Sequence, residues 1–239
     1  MAGVHRRLLP NSADAAQPEQ PVPPPRETTK DRRLLPIETF TDIESHPTIV
    51  QEAHQHHAVQ FYDDEKTLYG TVAGFLGQGL VDEQPAILIA TAAHRGPILD
   101  ELKGRMLDVD QAQRSGDLIV LDADETLAQF MRDDVPSDAA FESTVGDLIR
   151  RLLVKRSERT LIRAYGEMVD VLWKDGKPDA AIRLEILWNR LADRFGFALL
   201  CGYSMGHFYK QTDRFEDVCR QHAHVVPPRP LRRQPPNYA

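Results

Sequence analysis

The sequence lacks the long apolar stretches and cysteine pairs that are typical of membrane-embedded and disulfide-linked proteins. Its longest apolar run is 86-AILIATAA-93, whereas a membrane-spanning helix needs about 20 such residues. There are only two cysteines, Cys201 and Cys219, and no C-x-x-C spacing. We therefore expect no membrane span, and we expect each cysteine to be a small buried residue in a reducing, cytoplasmic compartment.

The motifs of several enzyme and targeting classes are also missing. The first 17 residues contain no apolar segment of the length that a secretory signal needs. No G-x-S-x-G nucleophile elbow and no H-E-x-x-H metal motif occurs. The net charge is −7 and no basic stripe is present, which disfavours contact with phosphate backbones. The sequence thus predicts no catalytic residues, no cofactor, no metal and no direct nucleic-acid partner.

Proline is concentrated at the two ends of the chain. Eight of the 17 prolines lie in residues 1–50 and five lie in residues 227–239. Segments of this composition cannot bury enough apolar surface to offset their ordering entropy. We predict a disordered, Pro-rich tail over 1–53, a folded domain over 54–226 and a disordered Pro/Arg-rich tail over 227–239. The N-terminal tail contains RRLLP twice, which is either a docking peptide or a chance repeat.

Within the folded domain, short apolar runs alternate with amphipathic segments. Alternation of this kind is typical of βαβ units, in which helices cover both faces of a parallel sheet. The sequence therefore predicts an α/β fold with three layers and a mostly parallel sheet. The predicted strands are 57–62, 85–91, 117–123, 160–168 and 197–203, and the predicted helices are 65–80, 95–107, 140–156, 179–195 and 212–224.

One predicted strand, 160-TLIRAYGEM-168, carries charged residues although such strands are normally apolar on both faces. Side chains alternate along a strand, so Arg163, Tyr165 and Glu167 share one face. Ligands of open α/β sheets bind beyond the carboxyl ends of the strands. We expect Arg163 and Glu167 to lie at a binding site, with a buried structural salt-bridge network as the alternative.

The turn after the first strand, 62-YDDEKT-67, occupies the place of a phosphate-binding loop. Lys66 and Thr67 stand in the order of a Walker A motif, but Asp63, Asp64 and Glu65 replace its glycines. Carboxylates at this position repel a nucleotide. The turn therefore indicates a degenerate Walker A motif, with Asp63 and Asp64 capping the next helix.

Three further polar groups admit a functional and a structural interpretation. Asp122 and Asp124 follow the third strand and could hold Mg²⁺, but we favour helix capping. His222 and His224 could bind zinc with a carboxylate, but we favour hydrogen-bonded histidines because two cysteines are too few for a structural zinc site. Glu185 lies at the edge of the apolar face of its helix and either reaches inward or is solvated.

In combination, six segments resemble the MEDS domain, a sensory domain named for methanogens, methylotrophs and the dichloromethane regulator DcmR. The resemblance implies a RecA/KaiC-like fold that has lost its phosphate loop. It also implies a sensor of a small molecule, thought to be a hydrocarbon derivative, rather than an enzyme. The matching segments are 57-HAVQFYDDEKTL-68, 117-DLIVLDADETLAQFM-131, 161-LIRAYGEMVDVLW-173, 183-RLEILWNRL-191, 199-LLCGYSM-205 and 221-QHAHVV-226.

The same resemblance implies a set of ligand-binding residues and a mode of output. Relatives often join this domain to a histidine kinase or to a DNA-binding domain that regulates transcription, and neither is present here. We therefore expect a separate signalling partner, such as a kinase or a transcription or sigma-factor regulator. The polar ligand-binding residues carried over by position are His57, Tyr62, Arg163, Glu167, Glu185 and His224, with Tyr165, Trp188 and Tyr203 as the walls of the site.

Two other functions stay open on the sequence alone. The first is a ligand-independent interaction protein or scaffold that acts through its tails and through Ile182 and Ile186. These two isoleucines lie away from the main apolar stripe of their helix and are compatible with a homodimer. The second is a residual ATPase or metal-dependent enzyme that uses Lys66, Asp122 and Glu167.

Overall fold

The computed structural model describes residues 57–154, 160–208 and 212–226. The tails predicted over 1–53 and 227–239, including both RRLLP segments, lie outside the described residues. Among the helices of the described ranges, none is both long enough and apolar enough to cross a lipid bilayer.

A six-stranded, wholly parallel sheet forms the centre of the fold, in the order β3-β2-β6-β7-β1-β8. All five predicted strands are present in it, and β8 is an additional edge strand. A short antiparallel hairpin, β4–β5, lies outside this sheet. The strands are β1 (His57–Tyr62), β2 (Ala86–Ala90), β3 (Leu118–Asp122), β4 (Met131–Arg132), β5 (Val135–Pro136), β6 (Arg163–Gly166), β7 (Ala198–Ser204) and β8 (His224–Val226).

Nine α-helices connect the strands in the described part of the chain. A π-helical segment, Glu142–Gly146, joins α5 to α6, and a 3-10 turn, Met205–His207, follows β7. The helices are α1 (Glu65–Val81), α2 (Ala92–Gly104), α3 (Val109–Ser115), α4 (Ala123–Phe130), α5 (Asp138–Phe141), α6 (Asp147–Val154), α7 (Met168–Lys174), α8 (Pro178–Phe195) and α9 (Thr212–Gln221).

Two apolar cores lie on opposite faces of the sheet, because successive strand residues point to opposite sides. In β2, Leu88 belongs to the smaller core with residues of α1, α2 and α3. Its neighbours Ile87 and Ile89 belong to the larger core with residues of α4 to α9. The predicted three-layer α/β fold is thereby confirmed.

Two element boundaries differ from the predictions. The strand expected over 160–168 begins at Arg163 and ends at Gly166, so Glu167 occupies the N-cap position of α7. The helix expected over 212–224 ends at Gln221, and His224 begins β8. The valines after His224 favour extended structure, and Val225 pairs with Val59 of β1.

Of the four aspartates predicted to cap helices, Asp64 and Asp122 do so. The Asp64 carboxylate accepts a hydrogen bond from the backbone N–H of Thr67 at 3.0 Å, which caps α1. The Asp122 carboxylate accepts one from the N–H of Glu125 at 3.0 Å, which caps α4. The first turn of α1 therefore already has an anionic partner where a phosphate loop would bind a nucleotide.

Gly202 of β7 lies against the hydroxyl group of Tyr165, and this contact generates a first prediction. A β-carbon at Gly202 would lie 2.6 Å from the Tyr165 hydroxyl oxygen. We expect Gly202→Ala to destabilise the protein by about 1–3 kcal/mol, because overpacking displaces a buried side chain. Urea unfolding measures this loss.

Gly166→Ala, on the neighbouring strand, is the matched control for Gly202→Ala. Its β-carbon would meet only Trp188, at an ordinary 3.8 Å. Equal losses of stability in the two variants would contradict the steric explanation.

Candidate functional site

Polar side chains gather in two groups on the sheet and its neighbouring helices. The edge cluster lies beyond the carboxyl ends of the strands, and the interior cluster lies within the larger core. We define the edge cluster as Tyr62, His94, Tyr165, Glu167, Asp170 and His207, and the interior cluster as His57, Glu185, Asn189, Cys201, Tyr203 and His222.

Glu167 is the central carboxylate of the edge cluster and is only 2% exposed. One of its oxygens accepts a hydrogen bond from the backbone N–H of Thr91, the N-cap residue of α2. The other accepts hydrogen bonds from His94 Nδ1 at 2.8 Å and from the Tyr165 hydroxyl at 3.1 Å. Three donors, two from the start of α2 and one from β6, therefore compensate the buried charge.

The Glu167–His94 pair is an ion pair in which each member stabilises the charged form of the other. Burial alone would raise the pKa of Glu167, but the hydrogen bond and charge of His94, with the Thr91 bonds, hold that pKa below its ordinary value. The hydrogen bond to Glu167 raises the pKa of His94 against the opposing effect of burial.

Asp170 of α7 is the second carboxylate of the edge cluster. Its Oδ1 accepts hydrogen bonds from the backbone N–H of Ser204 and from His207 Nδ1, both at 2.9 Å. Its Oδ2 accepts a longer one, 3.4 Å, from the Tyr62 hydroxyl. Asp170 thus joins α7 to the end of β7, to the 3-10 turn and to the end of β1.

The edge cluster reaches solvent through its imidazole groups. The side chain of His94 is 13% exposed and that of His207 is 25% exposed. The His94 ring packs edge-on against Tyr62 and Tyr69, with centroid separations of 6.1 and 5.6 Å. This arrangement offers hydrogen-bonding groups beside aromatic surface at the sheet edge where α/β folds bind ligands.

Glu185 is the central carboxylate of the interior cluster and is fully buried. Its Oε1 accepts a hydrogen bond from the Tyr203 hydroxyl at 2.8 Å and lies 3.4 Å from His222 Nε2. Its Oε2 lies 3.2 Å from His57 Nε2 and 3.5 Å from Cys201 Sγ. These contacts bring together β1, α8, β7 and the residue that follows α9.

Burial and mutual charge determine the protonation of the interior cluster. Burial lowers the pKa of His57, and repulsion from His222 adds to this effect. Burial also raises the pKa of the Cys201 thiol, and the Glu185 charge adds to that effect. For Glu185, burial would raise the pKa, but attraction to His222 and His57 outweighs it and lowers the pKa.

The interior cluster also has the composition of a metal-binding group. One ligand atom from each of His57, Glu185, Cys201 and His222 lies within 4.8 Å of the others, and all four residues are buried. Imidazole, thiolate and carboxylate are the ligands that proteins use for zinc.

The structure divides the nine predicted site residues among several places. Tyr62, Tyr165 and Glu167 lie in the edge cluster, and His57, Glu185 and Tyr203 lie in the interior cluster. Trp188 packs in the larger core against Phe141 and Phe197, with centroid separations of 5.2 and 6.1 Å. His224 is the half-buried first residue of β8.

Arg163 was expected to lie at the same binding site as Glu167, but the structure separates the two residues. Arg163 is the first residue of β6 and therefore lies at the opposite end of the strand. Its guanidinium donates to the carbonyl of Phe75 at 3.3 Å, lies over the Phe75 ring, and approaches Asp82 at 3.9 Å. Burial lowers its pKa, against the attraction of Asp82. These contacts fit the structural alternative for Arg163.

Six residues of the two clusters, Asn189 among them, were not predicted to belong to the site. His94, Asp170 and His207 each lie a few residues beyond the end of a strand, so a search of every strand end would have found them. Cys201 was expected to be an apolar core residue, but it contacts His57 and Glu185. His222 was considered only together with His224, which lies on β8. No local sequence signal connects Cys201 or His222 with Glu185.

Comparison with known families gives one match, and it covers more than half of the chain. The family described as MEDS, the MEthanogen/methylotroph, DcmR Sensory domain, matches residues 56–223. No curated protein matches the chain. The matched range contains every described strand except β8, together with every residue of the two clusters.

The Glu167–His94 pair generates a prediction for the dependence of stability on pH. The raised pKa of His94 means that its contribution is fully present below its ordinary pKa of 6.5 and is lost as the pH rises through the folded value. The lowered pKa of Glu167 means that its contribution is present above 4.5 and is lost as the pH falls through the folded value. We expect the difference in melting temperature between wild type and His94→Gln to be largest between these two limits.

Tyr165→Phe is the matched control for His94→Gln. It removes a hydrogen bond to the same carboxylate without removing an imidazole. Its effect on the melting temperature should not decline as the pH rises through the pKa of His94. A His94→Gln difference that stays constant from acid to alkaline pH would contradict the ion-pair interpretation.

Proposed function

The chain belongs to the MEDS family of sensory domains, and from this premise we propose that it binds a small organic molecule at the edge cluster and relays binding to a separate signalling protein. The domain acts without catalysing a reaction in this proposal. The observation that carries it is the position of two hydrogen-bonded carboxylates and two partly exposed histidines beyond the carboxyl ends of the strands.

The composition of the edge cluster supports a ligand with one polar and one apolar part. His94 and His207 supply hydrogen-bonding groups near solvent. The rings of Tyr62 and Tyr69 supply apolar surface beside His94. A short hydrocarbon derivative with a hydroxyl, carbonyl or similar group satisfies both requirements.

The start of α1 argues against a phosphorylated ligand. The Asp64 carboxylate occupies the backbone donor that a phosphate would use, and Asp63 and Glu65 add negative charge on either side. Anions bind at helix N-termini only where these donors are available. This observation supports an uncharged or cationic ligand and disfavours the residual ATPase.

The protonation of Glu167 supports a binding role rather than a catalytic one. A general base works best with a pKa near the operating pH. The pKa of Glu167 is lowered instead, by His94 and by the Thr91 backbone. A carboxylate in this state orders the site and accepts hydrogen bonds.

Asp170 supplies a route from the edge cluster to the surface. It holds Ser204 at the end of β7 and His207 in the following turn, and this turn leads towards α9 and β8. A ligand that competes for one of these hydrogen bonds changes the balance between two positions of the turn. It can shift that balance only by the difference in its affinity for the two states. In this proposal a separate signalling partner binds this surface. The partner is a kinase or a transcription or sigma-factor regulator.

Native mass spectrometry of the protein from its own host tests the ligand directly. We expect an additional organic mass on wild type that disappears on denaturation. Glu167→Gln should weaken binding about tenfold or more, because it removes a charged hydrogen-bond acceptor that orders the site. Glu101→Gln is the control, since it neutralises an exposed carboxylate of α2 that lies outside both clusters and should keep the organic mass.

Three results would contradict the proposal. A wild-type mass without any organic addition, in a complex with another chain, would favour the ligand-independent interaction protein. Retention of the mass in Glu167→Gln would place the ligand elsewhere. Magnesium-dependent ATP hydrolysis that is lost in Lys66→Ala would favour the residual ATPase.

A further inference from the structure

The hydrogen bonds around His57 determine which of its ring nitrogens carries the proton. The Asn189 side-chain NH₂ donates to the backbone carbonyl of Gln221 at 2.9 Å, so its amide oxygen faces His57. This oxygen can only accept, and it lies 2.9 Å from His57 Nδ1. In the neutral ring, His57 Nδ1 therefore carries the hydrogen and Nε2 presents a lone pair to the interior cluster.

The same reasoning applies to His222. Its Nδ1 lies 2.7 Å from the backbone carbonyl of Val218, which can only accept. In the neutral ring, Nε2 therefore also presents a lone pair. This nitrogen is fully buried and forms no hydrogen bond with any residue of the described ranges. A buried nitrogen of this kind needs a partner that the surrounding side chains do not supply.

Both lone pairs face the carboxylate of Glu185. His57 Nε2 lies 3.2 Å from one carboxylate oxygen, and His222 Nε2 lies 3.4 Å from the other. Two neutral imidazole nitrogens and an anion repel one another across these distances unless a cation lies between them.

The spacing of the ligand atoms is close to that of a tetrahedral metal site. Zinc lies about 2.0–2.1 Å from imidazole nitrogen and about 2.3 Å from thiolate sulfur, so the ligand atoms of one tetrahedron are about 3.3–3.8 Å apart. The measured separations are 3.1 Å from His57 Nε2 to Cys201 Sγ and 3.5 Å from Cys201 Sγ to Glu185 Oε2. All four ligand atoms lie within 4.8 Å of one another.

Charge balance also favours a divalent ion. With Glu185 and Cys201 ionised, a divalent cation makes the whole buried group neutral, which removes the cost of a lone buried anion. The thiol proton is released when the metal binds. Thiolate and imidazole ligands select zinc and related transition metals over magnesium and calcium.

We propose that the interior cluster is a site for a divalent transition metal, with zinc as the ion that its ligands fit. The ligands are His57 Nε2, His222 Nε2, Cys201 Sγ and a carboxylate oxygen of Glu185. The Asn189 amide oxygen accepts from His57 Nδ1, and the Val218 carbonyl accepts from His222 Nδ1. These hydrogen bonds orient the two rings, as the outer partners of metal-bound histidines do. The site is closed, because all four ligands are buried, and closed four-ligand zinc sites are structural.

The metal would connect the C-terminal part of the domain to the sheet. His57 begins β1, Glu185 lies on α8, Cys201 lies on β7, and His222 follows α9 directly before β8. Binding would therefore fix α9 and β8 against β1, which also carries Tyr62 of the edge cluster, and against β7, whose last residue Ser204 donates to Asp170. This role is independent of the small-molecule ligand proposed above.

Metal titration of the full-length protein tests the site. After removal of metals with a chelator, we expect wild type to bind one zinc ion per chain, measured by elemental analysis. Zinc at a hundredfold excess over its dissociation constant should raise the melting temperature by roughly 5–10 °C. Cobalt in place of zinc should give the visible bands of a tetrahedral ion and a thiolate-to-cobalt charge-transfer band.

Matched variants distinguish zinc bound at this site from zinc bound elsewhere on the protein. Cys201→Ser and His222→Gln should lose the stoichiometric zinc and the shift in melting temperature. Cys219→Ser and His207→Gln should keep both, because these residues lie outside the four ligands. Asn189→Ala should weaken zinc binding by about 10–100-fold through loss of the outer hydrogen bond.

Two outcomes would overturn the metal site. One is folded wild type that takes up no zinc and gives no cobalt–thiolate band, a result that does not require any variant to fold. The other is equal loss of zinc in Cys219→Ser and Cys201→Ser, which would mark adventitious zinc. The organic ligand is detected by native mass spectrometry and the zinc by elemental analysis. The two measurements are separate, so either proposal can fail while the other stands.

Discussion

The full burial of a carboxylate at Glu185 is the constraint on which the larger core depends. An ionised carboxylate inside an apolar core costs several kcal/mol of desolvation unless other groups compensate it. The groups that surround it come from β1, from β7 and from the residue after α9; the Tyr203 hydroxyl donates to it directly, and the two imidazole nitrogens compensate it through the proposed metal. The sheet and the helix pair α8–α9 must therefore meet in one arrangement, since any other leaves the anion without partners. Apolar packing alone, through Trp188 and its aromatic neighbours, would tolerate more variation.

Glu167 meets the same requirement in a different way. Its charge is compensated by a backbone N–H and two side-chain donors at the sheet edge, one of which is partly exposed. One partner of Glu167, His94, is therefore partly exposed to solvent, whereas all the partners of Glu185 are buried. Glu185 thus orders the interior, and Glu167 orders the edge of the sheet.

Much of the fold follows from the sequence, because a parallel sheet with helices on both faces requires strands that are apolar on both sides. The runs that became β1, β2, β3 and β7 have this character, and their order in the chain alternates with helices. The position of Glu167 was predictable, since it follows a strand. The position of Arg163 was not, because the start of β6 is set by pairing with β2 and by the Pro85 carbonyl, which accepts from the Arg163 N–H. The contact between His57 and Cys201 spans 144 positions, and no local pattern encodes a pairing of that range.

Two neighbouring strands connect the two clusters. β1 begins with His57 in the interior and ends with Tyr62 at the edge, and β7 carries Cys201 and Tyr203 inside and ends with Ser204, whose N–H binds Asp170. Packed strands shift as units because the interior is close to crystal density. The contacts of Glu185 with Cys201 and Tyr203 therefore fix the position of β7 along α8. They also fix the position of the Ser204 N–H, which donates a hydrogen bond to Asp170. For this reason the geometry of the edge cluster depends on the interior cluster. A change of structure in the interior would be transmitted to the edge cluster through the backbone of β7.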